Sequence, residues 1–119
     1  MDKVNIDEKL SRIKEHFHPY LIAELNGQEI KAVKALGEFV WHHHEDADEL
    51  FLIVRGRLRI EFRDHHVELG PGEMLVIPRG LEHRPVAEEE VELLLFEPRG
   101  TVNTGNIESD PTVAQVDRI

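Results

Sequence analysis

Between Tyr20 and Phe96 the chain is a succession of short β-rich runs cut by turn residues, and this punctuation limits what it can become. LFLIV is followed by Arg55-Gly56, RLRIEF by Asp64, VEL by Gly70-Pro71-Gly72 and MLVI by Pro78-Arg79-Gly80, and VELLLF closes the series. Such clusters offer the special φ angles of tight turns, so each one ends a strand. Turn signals roughly every 8–12 residues, with no helical period between them, predict an all-β sandwich or barrel. Upstream, Asn26-Gly27 separates two strand-like runs and suits a two-residue hairpin turn, so a β-hairpin is expected over Leu21 to Leu36.

The ends read differently. Asn5 is placed to cap a helix, with Glu8 three positions on as the reciprocal capping residue. Ile6, Leu10, Ile13 and Phe17 then recur at helical spacing, which predicts one short amphipathic helix over Asn5 to Phe17. Beyond Pro98 the sequence TVNTGNIESDPTVAQVDRI is polar and turn-rich, the mark of an arm without its own core. The expected division is an N-terminal helical arm over 1–19, a barrel over 20–98 and a polar arm over 99–119. With 119 residues there is material for one hydrophobic core and not for two.

Composition removes several function classes. No apolar stretch approaches the roughly 20 residues of a membrane helix. The N-terminus mixes acids and bases where an export signal needs an apolar centre, so the expected location is the cytoplasm. The 24 Asp and Glu residues outnumber the 14 Lys and Arg, a balance that repels phosphate backbones and argues against nucleic acid as a partner. Cysteine is absent, so disulfides, thiolate chemistry and zinc ribbons are excluded, and any metal must be held by His, Asp or Glu. Eight histidines is a high number for this length, and three are consecutive at His42, His43 and His44.

His42 and His44 are two apart, so on an extended segment both imidazoles project from one face. A turn in EDAD would return the Glu49 carboxylate beside them as a third ligand. His43 points to the opposite face and is expected beside the site or on the surface. His65 and His66 follow Asp64 in a hairpin turn and are expected to be exposed. The glycines lack the Lys-Ser/Thr ending of a phosphate-binding loop and read as turn residues. The aromatics alternate within apolar strands and read as core, with Phe51 and Met74 as candidate cavity-lining residues. Arg79 and Arg84 flank His83, and either is a candidate for holding a substrate carboxylate; pairing with surface acids is the plainer reading.

These residues resemble the two motifs of the cupin family. His42, His44, Glu49 and Gly56 fit the first, H-x-H, three or four residues, E, six residues, G. Gly72, Pro78, Gly80 and His83 fit the second, G, five residues, P-x-G, two residues, H. The resemblance implies a double-stranded β-helix, or jelly roll, similar to the small one-domain cupins. It makes His83 the fourth ligand. The set His42, His44, Glu49 and His83 would then hold one divalent transition metal, with Fe, Mn, Ni, Co and Zn all suited to imidazole and carboxylate donors. Two departures stand out: four residues rather than five separate Gly37 from His42, and Ala87 replaces the Asn that ends the second motif.

The resemblance further implies a small-molecule ligand and a homodimer, because one barrel leaves strand edges to cover. The leading functional expectation is a metal-dependent enzyme of the oxygenase or isomerase type, acting on a small polar or carboxylate-bearing molecule. The alternative is a metal-containing binding or sensing module without turnover. A metal-independent sugar isomerase or epimerase is a third reading, set back by the complete set of four candidate ligands.

Overall fold

The computed structural model describes residues 1–106 and 116–119. Among these residues a short helix α1 (Ile6–Ser11) precedes seven strands: β1 (Tyr20–Leu25), β2 (Gln28–Glu38), β3 (Glu49–Arg55), β4 (Leu58–Glu61), β5 (His66–Leu69), β6 (Met74–Ile77) and β7 (Arg84–Pro98). All strand pairings are antiparallel and run in the order β1-β2-β7-β3-β6, with β4 joined to β5 and to β7. The 15-residue β7 serves both sides of the jelly roll: Arg84 to Val86 pair with β4, and Glu92 to Phe96 pair with β3.

The period-2 alternation of side chains creates two cores. Inward-facing Val33, Phe51, Ile53, Leu58, Ile60, Leu93 and Leu95 meet inside the barrel. The opposite parity, Ala32 on β2 and Leu94 on β7, faces outward and is covered by Leu10 and Ile13 of the N-terminal arm. A strand such as VELLLF is therefore apolar on both faces because both faces are covered.

Local sequence explains the boundaries. Asn26 and Gly27 carry φ of 53° and 80° and close the β1–β2 hairpin as expected. The Asn5 side chain accepts from the Glu8 backbone N–H at 3.0 Å, which is half of a capping box. The Glu8 carboxylate does not return to Asn5 but pairs with Arg12. The helix ends at Ser11, short of the expected Phe17. Phe17 sits at φ 57°, a conformation that a helix excludes, and its N–H donates to the Lys34 carbonyl at 2.7 Å. Its ring leaves the helical stripe and enters the barrel cavity.

The polar C-terminal segment also packs more closely than its composition predicts. Thr104 is fully buried, Asn103 is buried, and the Asn106 backbone N–H donates to the His43 carbonyl at 3.1 Å. Gly105 is required there, since a Cβ would lie 2.1 Å from that same carbonyl oxygen. Residues 107–115 of the expected arm lie outside the described residues.

Candidate metal centre

The site is assembled from two loops and one strand start. His42 and His83 face each other across an antiparallel bridge, with each backbone N–H donating to the other's carbonyl at 3.0 and 2.9 Å. This bridge brings together residues 41 positions apart and sets their rings 4.4 Å apart. The Pro78-Arg79-Gly80 turn contributes by the Gly80 N–H, which donates to the His44 carbonyl at 2.8 Å. Glu49 is the first residue of β3 and points inward with the same parity as Phe51 and Ile53.

The four donor atoms of His42, His44, Glu49 and His83 all lie within 4.8 Å of one another, and all four residues are buried. His44 Nε2 and His83 Nε2 approach Glu49 Oε1 at 3.4 and 3.3 Å. Among the described residues, none of these three buried atoms has a hydrogen-bond partner. Unpaired buried polar atoms are costly, and three that converge on one point fit a cation at that point. The tautomers agree: His42 Nδ1 and His83 Nδ1 each donate to a backbone carbonyl two residues back, Val40 and Leu81, at 2.9 Å. That leaves each Nε2 with its lone pair aimed at the cluster, the usual arrangement behind a metal-binding imidazole.

Charge states fit as well. Burial, aided by the neighbouring His83, lowers the His42 pKa to about 4, so the ring is neutral at ordinary pH. Burial disfavours the Glu49 charge, but the surrounding His44, His83 and Glu97 side chains outweigh it and hold the carboxyl well below its ordinary range. Three imidazoles and one carboxylate form a donor set for a divalent transition metal with room for further ligands.

Behind Glu49 lies a pair that motif reading missed. Lys31 is 1% exposed and Glu97 0%, and the ammonium reaches Glu97 Oε1 at 2.9 Å and the Thr101 carbonyl at 3.2 Å. Burial and the Glu49 charge push the Glu97 carboxyl well up, against the pull of Lys31. A sequence signal for both exists. Glu97 is in phase with inward-facing Val91, Leu93 and Leu95, and Lys31 with Val33 and Ala35, so each is a charged residue on barrel-facing parity.

Other candidates fall elsewhere. His43 contacts Glu45 at 2.8 Å, and its backbone N–H donates to Asn106 Oδ1 at 2.9 Å, anchoring the C-terminal segment over the metal loop. His65 and His66 are exposed. Met74 is 58% exposed on the outside of β6 and does not line the cavity, whereas Phe51 does. Neither candidate arginine reaches the cavity. Arg79 pairs with Asp48 at 3.2 Å, and Arg84 is held by Glu61 at 2.6 Å and Glu38 at 3.1 Å beside the Trp41 ring.

The model of the cupin domain matches residues 32–97, and the chain belongs to the cupin family. A solved cupin-2 domain protein from Shewanella frigidimarina is 48% identical, covers 81% of this chain and 94% of its own, and superposes with a TM-score of 0.80. A structure from Neisseria meningitidis is 33% identical over 82% of this chain and 99% of its own, with a TM-score of 0.74. Among curated proteins, YdbB of Bacillus subtilis, described as uncharacterized, is 37% identical over 75 residues, which is 62% of this chain and 66% of that protein. The match thus spans just under two thirds of that relative's length.

Proposed function

We propose that His42, His44, Glu49 and His83 together bind one divalent transition metal, and that the protein is a metal-dependent enzyme of the oxygenase or isomerase type. The observation that carries the reading is the convergence of three buried, unpartnered donor atoms, His44 Nε2, His83 Nε2 and Glu49 Oε1. A bound ion would supply Lewis acidity and open coordination positions for a small molecule. The chain's own residues do the rest. The Val40 and Leu81 carbonyls orient the His42 and His83 rings, Glu97 and Lys31 back the Glu49 carboxylate, and a mostly apolar cavity lies beside it.

A metal-containing binding module without turnover is the second reading. It is favoured by the cavity lining, which among the described residues offers no acid–base group beyond His42 and Glu49. The first experiment is elemental analysis of protein purified without added metal or chelator, followed by oxygen-uptake assays after reloading with Fe(II) or Mn(II). Near-stoichiometric metal with turnover supports the enzyme, metal with only a ligand-dependent rise in melting temperature supports the module, and no metal uptake sinks both. We further propose a homodimer. Support comes from β6, a sheet edge that leaves Met74 58% and Val76 54% exposed, and sedimentation at micromolar concentration tests it.

A further inference from the structure

Resting on the metal reading, we propose that the site takes a small molecule with one polar end directed at the metal and an apolar body, and discriminates against polyols and dicarboxylates. The cavity beside the donor cluster has a volume of about 40 Å³. Its walls are Phe17, Val33, Phe39, Phe51, Leu93 and Leu95. Among the described residues its polar lining is His42 and Glu49 of the donor cluster and Asn103, whose Nδ2 donates to the Phe17 carbonyl at 3.4 Å. Among the described residues, no Lys or Arg lines it.

Three consequences follow for a ligand. A short alkyl body gains a few-fold in affinity for each methylene it buries against these walls. A hydroxyl on that body meets carbon and loses its water partners without replacement, which weakens binding roughly tenfold or more per group. A second carboxylate meets no cation inside, and Lys31 is already committed to Glu97. It also faces the Glu49 charge at one end of the same space. Phe17 adds a constraint of size. It is supplied by the link between α1 and β1, is held at a φ of 57° that bulky residues rarely adopt, and packs on Phe39 with ring centroids 4.8 Å apart.

The test uses the cobalt(II)-loaded full chain, because its visible absorption reports a ligand at the ion without requiring turnover. Two pairs of compounds with matched three-carbon skeletons, sized for the small cavity, are titrated: propan-1-ol against glycerol, and propanoate against malonate. The expected result is at least tenfold tighter binding of the first member of each pair. Val33→Thr, which puts a hydroxyl on the wall, is expected to narrow the propan-1-ol to glycerol gap at least threefold. The parent comparison stands by itself if that variant does not fold. Glycerol or malonate binding as tightly as its apolar partner, or no spectral change with either apolar compound, would overturn the inference while cobalt uptake leaves the metal reading intact. Failure to take up cobalt overturns the metal reading and this inference with it.

Discussion

Histidine, glutamate and basic residues occur in two settings in this molecule, and the contrast shows how burial assigns their roles. On the outer face of β4 and β7, Arg59 and Arg84 share Glu61 at 2.9 and 2.6 Å, Arg63 meets Glu82 at 2.6 Å, and the Arg63 guanidinium lies 3.9 Å from the centre of the Trp41 ring. Inside the barrel, Lys31, Glu97, Glu49 and the three buried histidines form an equally dense cluster. The outer pairs are wetted and screened, so each contributes little. The inner groups have given up water, so every partner retained or lost carries a large cost, and unpartnered atoms there indicate a ligand.

Substitutions that strand the inner groups sharpen the comparison most. His83→Ala should reduce metal content from near one per chain to a small fraction, because it removes the donor that closes the set; elemental analysis of both proteins decides it. Undiminished metal would place the ion elsewhere. Next, Glu97→Leu leaves the Lys31 ammonium buried without its main partner and should cost about 3–5 kcal/mol in denaturant unfolding. Combining it with Lys31→Met should recover at least half of that loss, and no recovery would mean the two groups act separately.

The purely apolar outer core provides a reference without charge. Leu10 is fully buried between the N-terminal arm and the sheet, and Leu10→Ala should cost about 2–5 kcal/mol by the transfer and cavity terms. A loss below 1 kcal/mol would show that the arm contributes little to barrel stability.

Acid then separates the settings through His42. Its pKa is about 4 in the folded protein and near 6.5 unfolded, so as pH falls the unfolded chain takes up the proton first. Stability from this group is complete above pH 6.5 and is lost as pH falls towards 4. Metal-free protein should therefore lose about 2–3 kcal/mol across that window relative to His42→Gln, whose side chain does not titrate. Parallel pH profiles for the two proteins would refute it. The smallest effect belongs outside: Arg63→Ala breaks the Glu82 pair and the Trp41 contact together, yet should change stability by no more than about 1 kcal/mol.

Much of this was legible beforehand because strands advertise themselves locally. The turn clusters and the Asn26-Gly27 hairpin depend on near neighbours, and the structure has each where the residues put it. The helix was overextended because Ile13 and Phe17 keep an apolar rhythm for different reasons: Ile13 packs under the sheet, while Phe17 turns out of the helix to wall the cavity. For Arg79 and Arg84 the plainer reading, pairing with surface acids, is the one the structure has, and folding chooses the acids: Asp48, Glu61 and Glu38.

What the sequence by itself determined is the repertoire: an all-β jelly roll, four candidate donors, and no cysteine to offer another chemistry. Tertiary structure alone decided how the repertoire is used. The pairing of His42 with His83, the burial of Lys31 and Glu97 behind Glu49, and the apolar lining of the cavity all join residues far apart in the chain. The physical reason is that burial belongs to the assembled barrel and not to any segment. It is burial that turns an ordinary glutamate or histidine into a group that must be satisfied by a proton, a neighbour or a metal.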